Sequence, residues 1–231
     1  MTTAPSTVSA QTLPLPTSER VQREGIRPPK FASKFAVLDF EASPAPVISM
    51  FEPPAARELE HFRLALRDDS LKTRIISWAE LGALPMRDLE ADLVCQIFNW
   101  HERITWTGFR VADVLAAFEV DAHPEGYLKF SSADGQYFET LSVDDARDPR
   151  VMLATGMNGE PLGHEYGGPV RLVVPFLQGY KSVKWLDRIE AFRHDPAGIK
   201  RLLGQSKTST LGQAWIDRLA IVPSTGRRSD P

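Results

Sequence analysis

Apolar and polar positions along the chain alternate with a period of two more often than they follow the spacing of a helix, and that alternation sets the expected elements. Phe62–Leu66 alternates and predicts a strand. Arg74–Ser77 predicts a second short strand, followed by a short helix over Trp78–Leu84. The apolar run Asp92–Phe98 predicts a strand that carries Cys95. Within Phe109–Val120, Val111, Val114, Leu115 and Phe118 stand at i, i+3, i+4 and i+7, the face of an amphipathic helix. Tyr127–Ser131 predicts a strand running into a hairpin-type turn at Asp134-Gly135. Ser142–Asp145 resembles a capping box with Asp in place of Glu or Gln, and so predicts a short helix. Val151–Thr155 and Glu160–Leu162 flank Asn158-Gly159, the strongest short-range hairpin signal in the chain. Val170–Pro175 and Lys181–Phe192 predict strands, and Ser209–Ile221 a last helix with Leu211, Trp215, Ile216 and Leu219 on one side. Strands dominate and regular strand–helix alternation is missing, so the expected class is a mixed, β-rich α+β fold with short helices.

Composition adds the boundaries. Residues 1–30 are rich in Thr, Ser and Pro and poor in large apolar residues, which predicts a disordered arm. Phe31–Pro54 breaks its apolar pairs with Pro44, Pro46, Pro53 and Pro54 and is expected to wrap the domain irregularly. Residues 223–231 read as a flexible tail, leaving one domain over 31–222. Of the 231 residues 42% are hydrophobic, enough for a real core, and the formal net charge of -3 argues against nucleic acid as a partner. A single cysteine excludes an intrachain disulfide and fits a reducing compartment. No charged segment precedes an apolar core near Met1, and no apolar run reaches the roughly 20 residues of a membrane span. A cytoplasmic location with no membrane span is expected.

The chemistry concentrates in Tyr166–Arg188. Gly167-Gly168-Pro169 turns the chain, Arg171 opens the next apolar run, and Gly179-Tyr180 turns it again before Lys181, Ser182, Val183 and Lys184. Glycines let backbone amides approach an anion, and Arg and Lys add charge-assisted hydrogen bonds. As a strand, the segment would point Lys181 and Val183 one way and Ser182 and Lys184 the other, with the backbone of Ser182–Lys184 as a phosphate cradle. The competing reading is an edge strand whose lysines guard against aggregation.

The order G-G-P-V-R-L-V-V-P, a glycine turn, then K-S-V-K-W and R-I-E resembles the C-terminal part of the sulfite oxidase-type molybdopterin-binding domain. Trp100, Trp106-Thr107-Gly108, Ser132-Ala133-Asp134-Gly135, Leu153-Ala154 and Asn158–Leu162 match the same family in order and spacing, from about Asp92 to Phe192. The resemblance implies a molybdenum held by a pterin dithiolene and one thiolate, Cys95. It implies that Arg171, Lys181, Ser182, Val183 and Lys184 anchor the pterin phosphate, that Ser132 touches the cofactor, and that Tyr166 stands where members carry His or Asn. Members place three residues between the cysteine and the next tryptophan, whereas Gln96–Asn99 makes four here, so Cys95 and Gln96 compete for the ligand position. Two further readings remain beside the ligand one: an ordinary buried cysteine in a non-catalytic cofactor- or phosphate-binding module, and a plain phosphate or nucleotide binder.

The implied activity is that of a molybdenum oxidoreductase: oxygen-atom or two-electron transfer on a small substrate, with the metal cycling between Mo(VI) and Mo(IV). An external electron carrier is required, since the chain shows no cysteine cluster or haem motif. The length leaves no room for the haem or dimerisation domains of larger relatives, so a monomer is expected. His61, His101, His123, His164 and His194 are scattered without metal-ligand spacing. Asp144 and Asp145 read as a helix N-terminus, and the five tryptophans as core.

Overall fold

The computed structural model describes residues 49–96, 100–206 and 208–224. The expected disordered arm, most of the irregular arm and most of the tail lie outside them. The elements in chain order are β1 (Arg63–Arg67), β2 (Thr73–Ser77), α1 (Trp78–Gly82), β3 (Arg87–Cys95), β4 (Trp100–Arg110), α2 (Val111–Ala117), β5 (Tyr127–Ser132), β6 (Phe138–Ser142) and α3 (Val143–Arg147). There follow β7 (Met152–Met157), β8 (Glu160–Pro161), β9 (Arg171–Val173), β10 (Leu186–Phe192), α4 (Ile199–Leu202) and α5 (Gln213–Leu219). One sheet runs β2-β1-β10-β5-β6, with β1 and β10 parallel and its other neighbours antiparallel. The second runs β3-β4-β7-β8, with β9 also pairing β7, all antiparallel.

Alternation explains the layering. Leu64, Leu66 and Ile76 from the first sheet meet Phe109, Leu153 and Leu172 from the second, together with Val111, Val114 and Leu115 of α2, in the main core. The neighbouring positions on the second sheet, Met152, Ala154, Val173, Ile104 and Trp106, point the other way and form a separate apolar floor with Leu162. That second face carries the site. Among the described residues no helix is long and apolar enough to cross a membrane.

Local signals account for most boundaries. Ser142 caps α3 by accepting from the Asp145 amide at 3.0 Å. Asn158 and Gly159 both take positive φ, 54° and 85°, which closes the β7–β8 hairpin in a type I′ turn. Four expectations are corrected. The strand around Cys95 starts at Arg87, because Leu89, Ala91 and Leu93 already alternate with charged residues. Residues 100–110 form an unforeseen strand that absorbs Phe109, so the helix begins at Val111. The final helix is confined to Gln213–Leu219, because Thr210 bridges Leu177 in extended form. Lys181–Trp185 is not strand: Gly179–Lys181 is a 3-10 turn, Trp185 has φ 49°, and β10 starts only at Leu186.

Candidate cofactor site

Gly167 has φ +100°, and a Cβ there would stand 2.7 Å from the Lys184 Cβ; one on Gly168 would stand 2.1 Å from the Leu162 carbonyl. The turn therefore requires glycine at both positions. It delivers the Tyr166 carbonyl to Arg171, whose Nη1 donates to it at 2.7 Å while Nη2 donates to the Ser182 carbonyl at 3.1 Å. The guanidinium lies 5.2 Å from the centre of the Trp106 ring. Arg171 is only 3% exposed, and among the described residues no carboxylate lies within ion-pair distance of it. Burial alone pulls its pKa down to about 10.

Lys184 is the second cation here. It is half-buried, and its Nζ donates to the Glu165 carbonyl at 2.9 Å. Burial, then the charge of Arg171, pushes its pKa well below the ordinary lysine value, with Glu165 partly opposing. The Ser182 and Val183 amides are used inside the turn, on the Gly179 and Lys181 carbonyls, while the Lys184 amide makes no hydrogen bond among the described residues. Ser182 Oγ accepts from the Val174 amide at 3.0 Å, and Val183 is fully buried in the main core. What results is two cations solvated by carbonyl dipoles beside one open amide, an arrangement that an anion completes.

Lys181 departs from its expected role. Its Nζ is buried on Glu139 Oε2 at 2.7 Å and on the Thr140 carbonyl at 2.8 Å. Glu139 also accepts from the Lys200 amide at 2.9 Å. Burial pushes the Glu139 carboxyl above its usual range, and Lys181 pulls it back. Because the turn at Gly179–Lys181 replaces the expected strand, this ammonium is committed to a carboxylate rather than to a phosphate.

Register settles which way Cys95 points. β3 and β4 pair without interruption from Arg87↔Gly108 to Cys95↔Trp100. Cys95, Leu93, Ala91 and Leu89 thus share a face with Ile104 and Trp106, and Cys95 packs at the edge of their apolar floor. Gly108 pairs with Ala154, which pairs with Arg171, so Arg171 stands on that same face. Gln96 follows the strand, and its Nε2 lies 3.1 Å from where a Cβ on Gly212 would sit. Tyr166 packs against the same floor from the Arg171 end. Ser132 is buried at the end of β5, where the Ala133 amide donates to the Trp185 carbonyl at 2.8 Å.

Two residues near Cys95 escaped the sequence reading. Burial lowers the Lys200 pKa, and the charges of Glu139 and, less, of Cys95 pull it back up, so its ammonium lies near the thiol. A neighbouring ammonium favours the thiolate that a soft metal binds. Glu102 is a charged residue at an inward position of β4, legible only once that strand is recognised. Among the described residues no group of three or more His, Cys, Asp or Glu could hold a metal by itself.

A two-sheet domain with a buried, carbonyl-held guanidinium and one thiol on a common apolar face is built to hold a cofactor. The chain belongs to the oxidoreductase molybdopterin binding domain family, whose family model matches residues 51–200. It is 33% identical over 112 residues to the protein-methionine-sulfoxide reductase catalytic subunit MsrP of Gluconobacter oxydans, covering 42% of this chain and 36% of that protein. The MsrP of Xanthomonas campestris is 37% identical over 99 residues, covering 37% of this chain and 31% of the relative. The chain thus spans about a third of the length of these curated relatives. The sulfane dehydrogenase SoxCD of Paracoccus pantotrophus superposes with a TM-score of 0.55 at 25% identity, over 61% of this chain and 40% of that one.

Proposed function

We propose that the chain is the catalytic domain of a molybdenum–molybdopterin oxidoreductase that removes oxygen from a small sulfoxide. Arg171 carries this reading: a buried guanidinium with no carboxylate partner among the described residues, on the same sheet face as the chain's one thiol. The residues fit the cofactor. Arg171, Lys184 and the Lys184 amide would hold its phosphate, Tyr166 and Ser132 would contact the pterin, and Cys95 beside Lys200 would ligate the metal. When bound, the cofactor supplies two-electron redox chemistry coupled to oxygen-atom transfer. The protein's share is to orient the group over the Ile104–Trp106–Ala154 floor and to exclude water from it. Sulfur-centred chemistry follows from the relatives, two of which are named for methionine sulfoxide and one for a sulfane. An external carrier delivers the electrons, since the sequence shows no cysteine cluster or haem motif.

Metal and pterin analysis of protein purified from a molybdenum-replete host tests this. One molybdenum and one pterin per chain are expected, with metal lost in Cys95→Ala and both lost in Arg171→Ala. A folded wild-type protein without molybdenum overturns the reading. A phosphate compound retained by Cys95→Ala in place of pterin would establish the plain phosphate binder instead.

A further inference from the structure

The face that carries Cys95 and Arg171 also carries a buried acid. Glu102 stands on β4 opposite Leu93, two residue pairs along from Cys95↔Trp100. Unbroken register turns its side chain to the side of Cys95, Ile104 and Trp106. It is 9% exposed, and its Oε2 is buried without a hydrogen-bond partner among the described residues. A buried carboxylate oxygen left without a donor is costly, so the neutral acid is favoured, and burial lifts the pKa to about 7. The ionisable groups on neighbouring elements are accounted for elsewhere. Lys181 is held by Glu139, Lys200 lies by Cys95, and Arg171 and Lys184 lie at the phosphate end. On the opposite face Asp92 takes His101 Nδ1 at 3.3 Å and Arg103 Nη2 at 2.8 Å.

We infer that Glu102 is the acid that hydrogen-bonds the oxygen of the bound substrate and protonates it as it leaves sulfur. The inference rests on the sulfoxide-reduction reading. In that reaction the S–O bond breaks, two electrons arrive from the external carrier through the cofactor, and the products are a thioether and water. Glu102 gives one of the two protons and is reprotonated from solvent, which supplies the second. Below its own pKa the group is a loaded donor, and above it the donor is lost.

The experiment compares the molybdenum-loaded wild type with Glu102→Gln, using methionine sulfoxide and a reduced viologen dye. kcat is expected to fall on the order of 10²-fold in the variant, with KM little changed and molybdenum content equal. The wild-type kcat should decline as pH rises through about 7, and this limb should vanish in the variant. Infrared titration of the cofactor-free protein gives a readout independent of turnover: a protonated-carboxyl band that disappears near pH 7 and is absent in Glu102→Gln. A loaded variant that keeps the wild-type rate and pH limb overturns the role of Glu102 alone, as does a carboxyl that titrates in the ordinary range. A wild type that binds no molybdenum, or is loaded but inert toward sulfoxide, overturns the parent reading and this one with it.

Discussion

Arg171 and Lys181 belong to the same stretch of chain and are buried alike, at 3% and 5% exposure, yet the fold treats their charges in opposite ways. Lys181 meets the wholly buried carboxylate of Glu139. Among the described residues Arg171 donates only to carbonyls, those of Tyr166, Ser182 and Leu172. Carbonyl dipoles solvate a cation without cancelling it, so Arg171 keeps a field that burial strengthens. The first charge serves to join segments, because Glu139 also takes the amide of Lys200 and fastens α4 to β6. The second is left free to attract an anion, the role proposed for it. Burial of a cation therefore says little about function until its partner is known.

The sharpest way to break this comparison is at Lys181. Lys181→Met leaves Glu139 buried and facing only the Lys200 amide, at an expected cost of about 3–5 kcal/mol. Urea unfolding measures it, and Lys181→Met with Glu139→Leu should recover most of the loss, since the pair together can be exchanged for apolar residues. A single variant as stable as wild type would show that the pair is not the clasp described.

Arg171→Met should behave differently. It removes hydrogen bonds to three carbonyls but also an uncompensated buried charge, so the cofactor-free fold should change by less than about 1.5 kcal/mol. Its effect appears on the anion. Inorganic pyrophosphate should raise the thermal midpoint of the cofactor-free wild type, and the variant should lose about 2–3 kcal/mol of that affinity, the worth of a hydrogen bond between charged groups. Pyrophosphate that stabilises both proteins equally would move the anion seat elsewhere.

Glu102 is the mirror case, a buried acid without a cation, and pH reveals it. Its folded pKa of about 7 lies above its ordinary 4.5, so the folded state holds the proton more tightly. That contribution to stability is complete below pH 4.5 and is lost as pH rises to about 7. The decline should be on the order of 1–2 kcal/mol once solvent screening is allowed for, and Glu102→Gln should flatten it. An unchanged slope in the variant would assign the pH dependence to other groups.

These contrasts also mark what the sequence could reveal. Turn chemistry and helical spacing were legible because they act locally: Asn158-Gly159 makes its hairpin and Val111, Val114 and Leu115 bury one face of α2. The ordered glycines of Tyr166–Lys184 pointed to a tight turn, and the structure brings Arg171 and Lys184 together at it. The partner of Lys181 was not legible, because Glu139 lies on β6 in another sheet strand and its approach depends on a 3-10 turn where alternation suggested extension. β4 was hidden for a related reason. Its inward row of Glu102, Ile104, Trp106 and Gly108 mixes a charge and a glycine among apolar residues, which blurs a period of two. Without β4 the orientation of Cys95 stayed open, since only pairing from Arg87 to Cys95 defines the face.

The smallest expected effect is at Lys184, and it tests whether the two carbonyl-bound cations act together. Lys184 is half-buried, so solvent screens it more than Arg171. In the cofactor-free protein the two charges repel, which is why Arg171 stands second only to burial among the causes that lower the Lys184 pKa. Lys184→Met relieves that repulsion and should leave the fold as stable as before, while weakening pyrophosphate binding by about 0.5–1 kcal/mol, the range of a screened ion pair. In a double-mutant cycle with Arg171→Met the two losses should not add, because an anion held by both cations is already displaced once Arg171 is gone. Additive losses would mean two independent charges near a surface. A coupled loss identifies one seat, and it would separate this pair from Lys181, whose removal should unsettle the fold without touching the anion.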